Sequence, residues 1–209
     1  MSTKINYIFV HHTGSIGINP NSSSKNLTLQ QIDNAHRERW PDFKSSLGYF
    51  VGYSVVIFPD GSMVQTRKIG EELAANKGYN TVSFAPCLAG NFTSGVDYPT
   101  PAQISKLLDV MRAVYDKNPE SIGLQVVPGT EIDVPIQNVF PHRRVATTEC
   151  YGFSLSDSWA QNILATSVKI SFLQRLLVLY QSLLALLKTK KVGTKVATEY
   201  TPCWLKDNR

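Results

Sequence analysis

Apolar and polar positions divide the chain into strand-like and helix-like stretches in alternation. Ile5–Val10 is a β-branched and aromatic run that predicts a buried strand ending in His11 and His12. A polar loop over Gly14–Asn26 follows, and Thr28 with Gln31 three residues later has the form of a capping box. The helix it opens is expected to reach about Trp40, before Pro41. Tyr53–Phe58 and Ser62–Thr66 flank Pro59-Asp60-Gly61, a hairpin signal. Thr81–Leu88 predicts another strand. Thr100 caps a second helix through about Asp116, with Ile104, Leu107, Leu108, Met111 and Val114 on one face. Gln125–Val139 is extended and turn-rich, and a strand near Asn138–Phe140 delivers His142. Ser156 is expected to cap a short helix to about Ala165, with a long further helix over Ser167–Lys188.

Strands interleaved with helices predict an α/β fold with a central mixed β-sheet flanked by helices. The last helix is extra to that pattern. Ile170, Leu173, Leu176, Leu177, Tyr180, Leu183, Leu184 and Leu187 recur at three- and four-residue steps, opposite Gln174, Arg175, Gln181, Ser182 and Lys188. This is an amphipathic helix. The expected division is therefore residues 1–166 as one domain and 167–209 as amphipathic helix and basic tail. Arg175 leaves 12 uncharged residues from Leu176 to Leu187, short of the ~20 a membrane span needs. The apolar face of Ile170–Leu187 is expected to be covered by its own domain, by a second copy, or by an anionic membrane surface. Lys188, Lys190, Lys191 and Lys195 would help the last of these.

Composition narrows the class further. With 43% hydrophobic residues in 209, the chain is not a disordered or low-complexity protein. Twenty-one Lys+Arg against 16 Asp+Glu give +5, which favours anionic partners without choosing among them. No nucleic-acid motif accompanies the charge, so no nucleic acid is expected as partner. Cys87, Cys150 and Cys203 cannot build a disulfide framework. The start lacks the charged and apolar regions of a secretory signal, so synthesis in a reducing cytoplasm is expected.

The chemistry rests on three residues: His11 at one strand end, His142 at another, and Cys150 eight residues later in a loop. Two imidazoles and a thiolate suit tetrahedral zinc, with a fourth position left for water. None of the spacings is that of a zinc finger, so such a site would be an open, catalytic one. Spacing alone leaves two readings, an open zinc site or three unrelated residues.

The neighbouring blocks decide between them. Phe9-Val10-His11-His12-Thr13 resembles the first zinc-ligand strand of the N-acetylmuramoyl-L-alanine amidases that share the peptidoglycan-recognition-protein fold. Gly52-Tyr53 leading to Asp60-Gly61, Lys77-Gly78-Tyr79-Asn80 with Ser83 to Phe92, and Pro99–Gln103 are similar to the next three family blocks. His142-Arg143-Arg144 through Thr148-Glu149-Cys150 resembles the closing one. The ordered blocks cover about residues 5–165, with the spacing of short phage endolysins.

The resemblance implies Zn2+ held by His11, His142 and Cys150. It implies Tyr53 as the catalytic tyrosine, with Tyr49 a decoy out of register, and Thr148 as a second group that stabilises charge on the tetrahedral intermediate. His12 is expected to face elsewhere and His36 to be structural. Arg67 matches a recurrent arginine expected near the substrate carboxylate. The implied activity is cleavage of the muramoyl–L-alanine amide of peptidoglycan, glycan strand and stem peptide together forming the partner. The implied setting is a phage or prophage lysis enzyme that acts on the wall after release.

Three positions depart from the family pattern: Tyr151 stands where Pro is usual, Ala75 where His is usual, and Arg144 where an acid is usual. None removes a metal ligand. Two rivals remain to be weighed. A non-catalytic peptidoglycan-binding module of the same fold typically lacks the cysteine, which is present here. A cysteine peptidase would use Cys150 with His11 or His142, but those enzymes usually place the cysteine first, at a helix start that lowers its pKa.

Overall fold

A computed structural model of the chain describes residues 3–15, 21–93 and 95–196, with side chains described as far as Leu184. The elements run β1 (Lys4–Ile5), β2 (Tyr7–His12), α1 (Leu29–Arg39), β3 (Val55–Ile57) and β4 (Met63–Gln65). They continue with β5 (Ser83–Phe84), β6 (Pro86–Leu88), α2 (Pro101–Tyr115), β7 (Glu131–Ile132), β8 (Val139–Pro141) and α3 (Trp159–Val196). The chain divides into two units, Met1–Ser167 and Val168–Arg209.

The first unit is built on a mixed sheet with β2 at its centre. Ile8 pairs with both Phe84 of β5 and Val139 of β8, in parallel, while His11 and His12 pair with Cys87 and Leu88 of β6. β3 joins β6 in parallel and closes an antiparallel hairpin with β4 through Pro59-Asp60-Gly61. The expected strand Ile5–Val10 is split at Asn6, whose N–H leaves the ladder for Val82 O at 2.8 Å. The expected strand Thr81–Leu88 is likewise split at Ala85, whose N–H bonds the Ser54 hydroxyl at 3.0 Å.

Both capping boxes form. Thr28 accepts from Gln31 N and Thr100 from Gln103 N, and each glutamine side chain reaches back to the cap N–H. This satisfies two of the donors that a helix start leaves open. Ile32 of α1 packs with Val51, Val56 and Ala89. Val56 pairs with Cys87, and Cys87 with His11, so these three side chains stand in one row across the sheet on the same face. That row underlies the site. α2 packs against β3 and β6 and buries Leu107, Val110, Met111 and Val114, while buried Gln103 ties its first turn to Ile57 O and Ala89 O.

The C-terminal helices are one, not two. Trp159–Val196 is continuous, because Thr166-Ser167 contains neither Gly nor Pro to break it. Its start belongs to the first unit: Ala160 and Leu164 are fully buried, and Trp159 packs edge-on against Tyr151 with ring centroids 5.7 Å apart. In the second unit the helix is more apolar than the expected stripe, since Phe172, Val178 and Leu179 lie outside it and are exposed with the rest. The sequence expectation that this segment is too short to span is also corrected: Trp159–Leu184 is long and apolar enough to cross a membrane by length and composition. Lys188, Lys190, Lys191 and Lys195 lie beyond the described side chains.

Candidate active site

The end of β2, the turn after β8 and the loop carrying Cys150 converge on one point. The ligand atoms of His11, His142 and Cys150 all lie within 4.8 Å of one another. Cys150 Sγ is 3.5 Å from His11 Nδ1, and the rings of His11 and His142 are 4.5 Å apart at their centroids. Cys150 and His11 are buried and His142 is half-buried.

The hydrogen bonds around the cluster decide which nitrogen of His11 faces it. Asn76 Nδ2 donates to Ser83 Oγ at 3.1 Å, and that hydroxyl donates to Tyr79 O at 2.7 Å. The amide is thereby oriented with Oδ1 toward His11 Nε2, 2.9 Å away. Nε2 must carry the proton, and Nδ1 presents a lone pair toward Cys150. A ligating histidine held by an outer carbonyl through its other nitrogen is the arrangement a metal site needs. The donor set, two imidazole nitrogens and one sulfur, fits zinc.

Burial pushes the Cys150 thiol up to about 12 and drives the His11 imidazole well below its ordinary range, with His142 adding to the effect. A thiol so raised is no nucleophile at neutral pH, which removes support from the cysteine-peptidase reading. A divalent cation reverses this, because a coordinating thiol is deprotonated outright. The His11–His142–Cys150 group could therefore hold a metal ion.

The cluster opens into a groove of about 750 Å³ whose lining includes Tyr53 and Thr148 as well as the three ligand candidates. Tyr53 stands two residues before β3, its ring 5.1 Å from that of His11 and 5.2 Å from that of His36. Burial and the nearby thiols of Cys87 and Cys150 hold its phenol well above the ordinary range. It stays protonated and can donate. Tyr49 and Tyr53 both pack on the Ile32–Val56 cluster, but Tyr49 is not among the residues lining the groove. Thr148 is exposed at the rim, where its Oγ1 accepts the Cys150 N–H at 3.3 Å, leaving the hydroxyl proton free to point into the groove.

Three other residues fall as follows. His12 is buried, stacked on Phe92, and accepts Phe92 N–H at Nδ1 (2.9 Å), so its ring is structural. His36 accepts Gly52 N–H at Nδ1 (2.9 Å) and packs edge-on against Trp40. Arg67 is not near the groove's substrate face: it is buried, its guanidinium donates to the carbonyls of Val51, Glu72 and Phe43 and lies 4.0 Å over the Phe43 ring. Buried among backbone carbonyls and absent from the groove lining, Arg67 is not placed to meet a substrate carboxylate, so that expectation is corrected.

Burial lowers both His12 and His36 to about 4 from an ordinary 6.5. Each is neutral in the fold and protonated when unfolded between those values, so stability is full above pH 6.5 and falls as pH drops toward 4. We expect a loss of up to about 3 kcal/mol per histidine, read as a fall in the urea midpoint between pH 7 and 4. A midpoint flat across that interval would contradict the assignment.

Arg143 is a residue that sequence reasoning missed. Its N–H bonds Cys150 O at 2.8 Å, and its guanidinium bonds Gly152 O (2.7 Å), Leu155 O (2.7 Å) and Asp157 (2.6 Å). It clamps the loop that presents Cys150. Gly152 in that loop has φ +93, and a Cβ there would collide with the Phe92 carbonyl, which is why the glycine is kept although Tyr151 replaces the usual proline. Buried Tyr151 compensates by donating its hydroxyl to Ser156 O at 2.8 Å. Arg143→Ala should cost about 2–4 kcal/mol in chemical denaturation, the scale of lost charge-assisted bonds with carbonyls left unpaired. A change under about 0.5 kcal/mol, the size of an ordinary surface substitution, would show the clamp is idle.

Comparison with known proteins places the chain. A family model described as N-acetylmuramoyl-L-alanine amidase matches residues 1–152. The chain belongs to this amidase family. The amidase is 28% identical over 167 residues to the endolysin of Enterobacteria phage T3, across 77% of this chain and 89% of that relative. Its fold is similar to the N-acetylmuramoyl-L-alanine amidase LysC from Clostridium intestinale URNW, with TM-score 0.53 and 24% identity over 78% of this chain and 85% of that one. It is also similar to the Ph2119 endolysin from Thermus scotoductus MAT2119 bacteriophage Ph2119, with TM-score 0.53 and 18% identity over 78% and 87% of the two chains.

Proposed function

We propose that this amidase is zinc-dependent, with His11, His142 and Cys150 as ligands, and that it cleaves the amide between N-acetylmuramic acid and L-alanine in peptidoglycan. The convergence of two imidazoles and a thiol at one end of the groove carries the reading. A metal ion held by His11, His142 and Cys150 would supply an acidified water and a Lewis acid for the scissile carbonyl. Tyr53, protonated and beside His11, would donate to the oxygen on which charge develops, and Thr148, which also lines the groove, would be a second donor. Asn76 holds His11 in the tautomer that ligation requires. The groove beside the cluster would take the peptidoglycan substrate.

The likeness to phage endolysins supports a lysis role, with the enzyme made in the cytoplasm and acting on the wall after release. Product analysis tests the chemistry: digestion of a defined muropeptide should yield a free lactyl carboxylate and a new alanyl amine. Cleavage within the glycan or the peptide would overturn the assignment, and binding without cleavage would favour the non-catalytic module.

We further propose the division into an amidase domain, 1–166, and a C-terminal helix with basic tail, 167–209. Every group named in the site lies in the first. A chain ending at Ser167 keeps Ala160 and Leu164 and should hydrolyse soluble muropeptides within about twofold of the full chain. An insoluble or inactive product would place the later helix in the catalytic fold.

A further inference from the structure

The chain's net charge is +5, and it is not spread evenly. α3, Trp159–Val196, holds Lys169, Arg175, Lys188, Lys190, Lys191 and Lys195 and no acidic residue. These six basic residues account for the whole of the chain's net positive charge, and the remainder is close to neutral. The excess positive charge, and with it the attraction to an anionic surface, is thus concentrated on this helix.

The same helix exposes ten large apolar side chains between Ile170 and Leu184. Ser171, Gln174, Arg175, Gln181 and Ser182 fall on one strip covering about a third of the circumference, interrupted by Val178, and Leu173, Leu176, Tyr180 and Leu183 lie opposite. An apolar arc this broad exceeds the narrow seam of a two-helix dimer. Nucleic acid offers nothing to cover it. A transmembrane placement would bury Arg175 and both glutamines near the middle of the segment after Ser167, where polar and charged groups are costly.

We propose that α3 beyond Ser167 lies in the plane of an anionic lipid bilayer. Its broad apolar arc sinks among the acyl chains, its polar strip faces the headgroups, and the basic run Lys188–Lys195 meets the lipid phosphates. The charge and the apolar surface, otherwise separate features, are satisfied by one partner.

The test is co-sedimentation of the full chain with vesicles of phosphatidylethanolamine and phosphatidylglycerol, against vesicles of phosphatidylcholine alone. Binding to the anionic vesicles should be at least about tenfold tighter and should collapse in about 0.5 M salt. Changing Lys188, Lys190, Lys191 and Lys195 to Gln should weaken it by roughly fivefold per lysine. Leu176→Asn with Leu183→Asn should abolish it even at low salt. Both variants should hydrolyse soluble muropeptides like the parent. Equal, salt-insensitive binding to both vesicles would overturn the proposal in favour of a span. Absence of vesicle binding, with the chain dimeric in light scattering, would overturn it in favour of a second copy. Loss of hydrolysis in both variants would show that the helix is part of the catalytic fold, which overturns it as well.

Discussion

The Cys150→Ser enzyme should lose its metal and its activity together. Sulfur is the one anionic ligand of the proposed set, and a serine hydroxyl in the same buried place is neutral and harder. Even partners that merely orient a ligand change metal affinity by about 10–100-fold, so removal of the ligand itself should exceed about 100-fold. The loop should survive the change, because Arg143 grips it through the backbone of Cys150, Gly152 and Leu155, not through the sulfur. The check is metal content by mass spectrometry beside hydrolysis of a soluble muropeptide, with circular dichroism as the control for folding. Retained activity in a metal-free, folded Cys150→Ser chain would remove the thiol from the mechanism.

Tyr53→Phe separates chemistry from metal binding. The ring that packs beside His11 and His36 is kept, and only the hydroxyl is lost. Metal content should be unchanged, KM should move by less than about twofold, and kcat should fall about 10²–10³-fold, the scale of one lost oxyanion donor. A fall in metal content instead would make Tyr53 a support for the cluster. Full activity would break the register argument, and Tyr49, which sits in the core cluster, would offer no replacement donor.

The helices α1 and α2 were legible because each begins with a threonine and a glutamine three apart, a local signal that tertiary structure reinforces. The hairpin was legible from Pro59-Asp60-Gly61 for the same reason. Breaks at Asn6 and Ala85 were not, since each is caused by a partner far along the chain, Val82 for one and Ser54 for the other. The continuity of α3 was not legible, because Thr166-Ser167 interrupts the apolar pattern without breaking the backbone.

The site shows the same split. Its ligand candidates and Tyr53 were found through the family blocks, whose residues keep fixed spacing. Asn76, Arg143 and Cys87 act through contacts that no spacing announces. Asn76 reaches His11 across 65 residues, and Cys87 meets it only through the register of β6 on β2. Arg67 failed in the opposite direction: an arginine at the right place in a motif proved to be holding the backbone of its own loops.

The central claim is that a single metal ion, held by His11, His142 and Cys150, is what makes the groove catalytic. Stepwise addition of zinc to chelator-stripped protein, with hydrolysis of a defined muropeptide followed at each step, tests it most directly. Activity should be absent at the start, rise in proportion to zinc and stop rising at one equivalent per chain. Full activity in the stripped protein, or a protein that binds one zinc and still cleaves nothing, would contradict it.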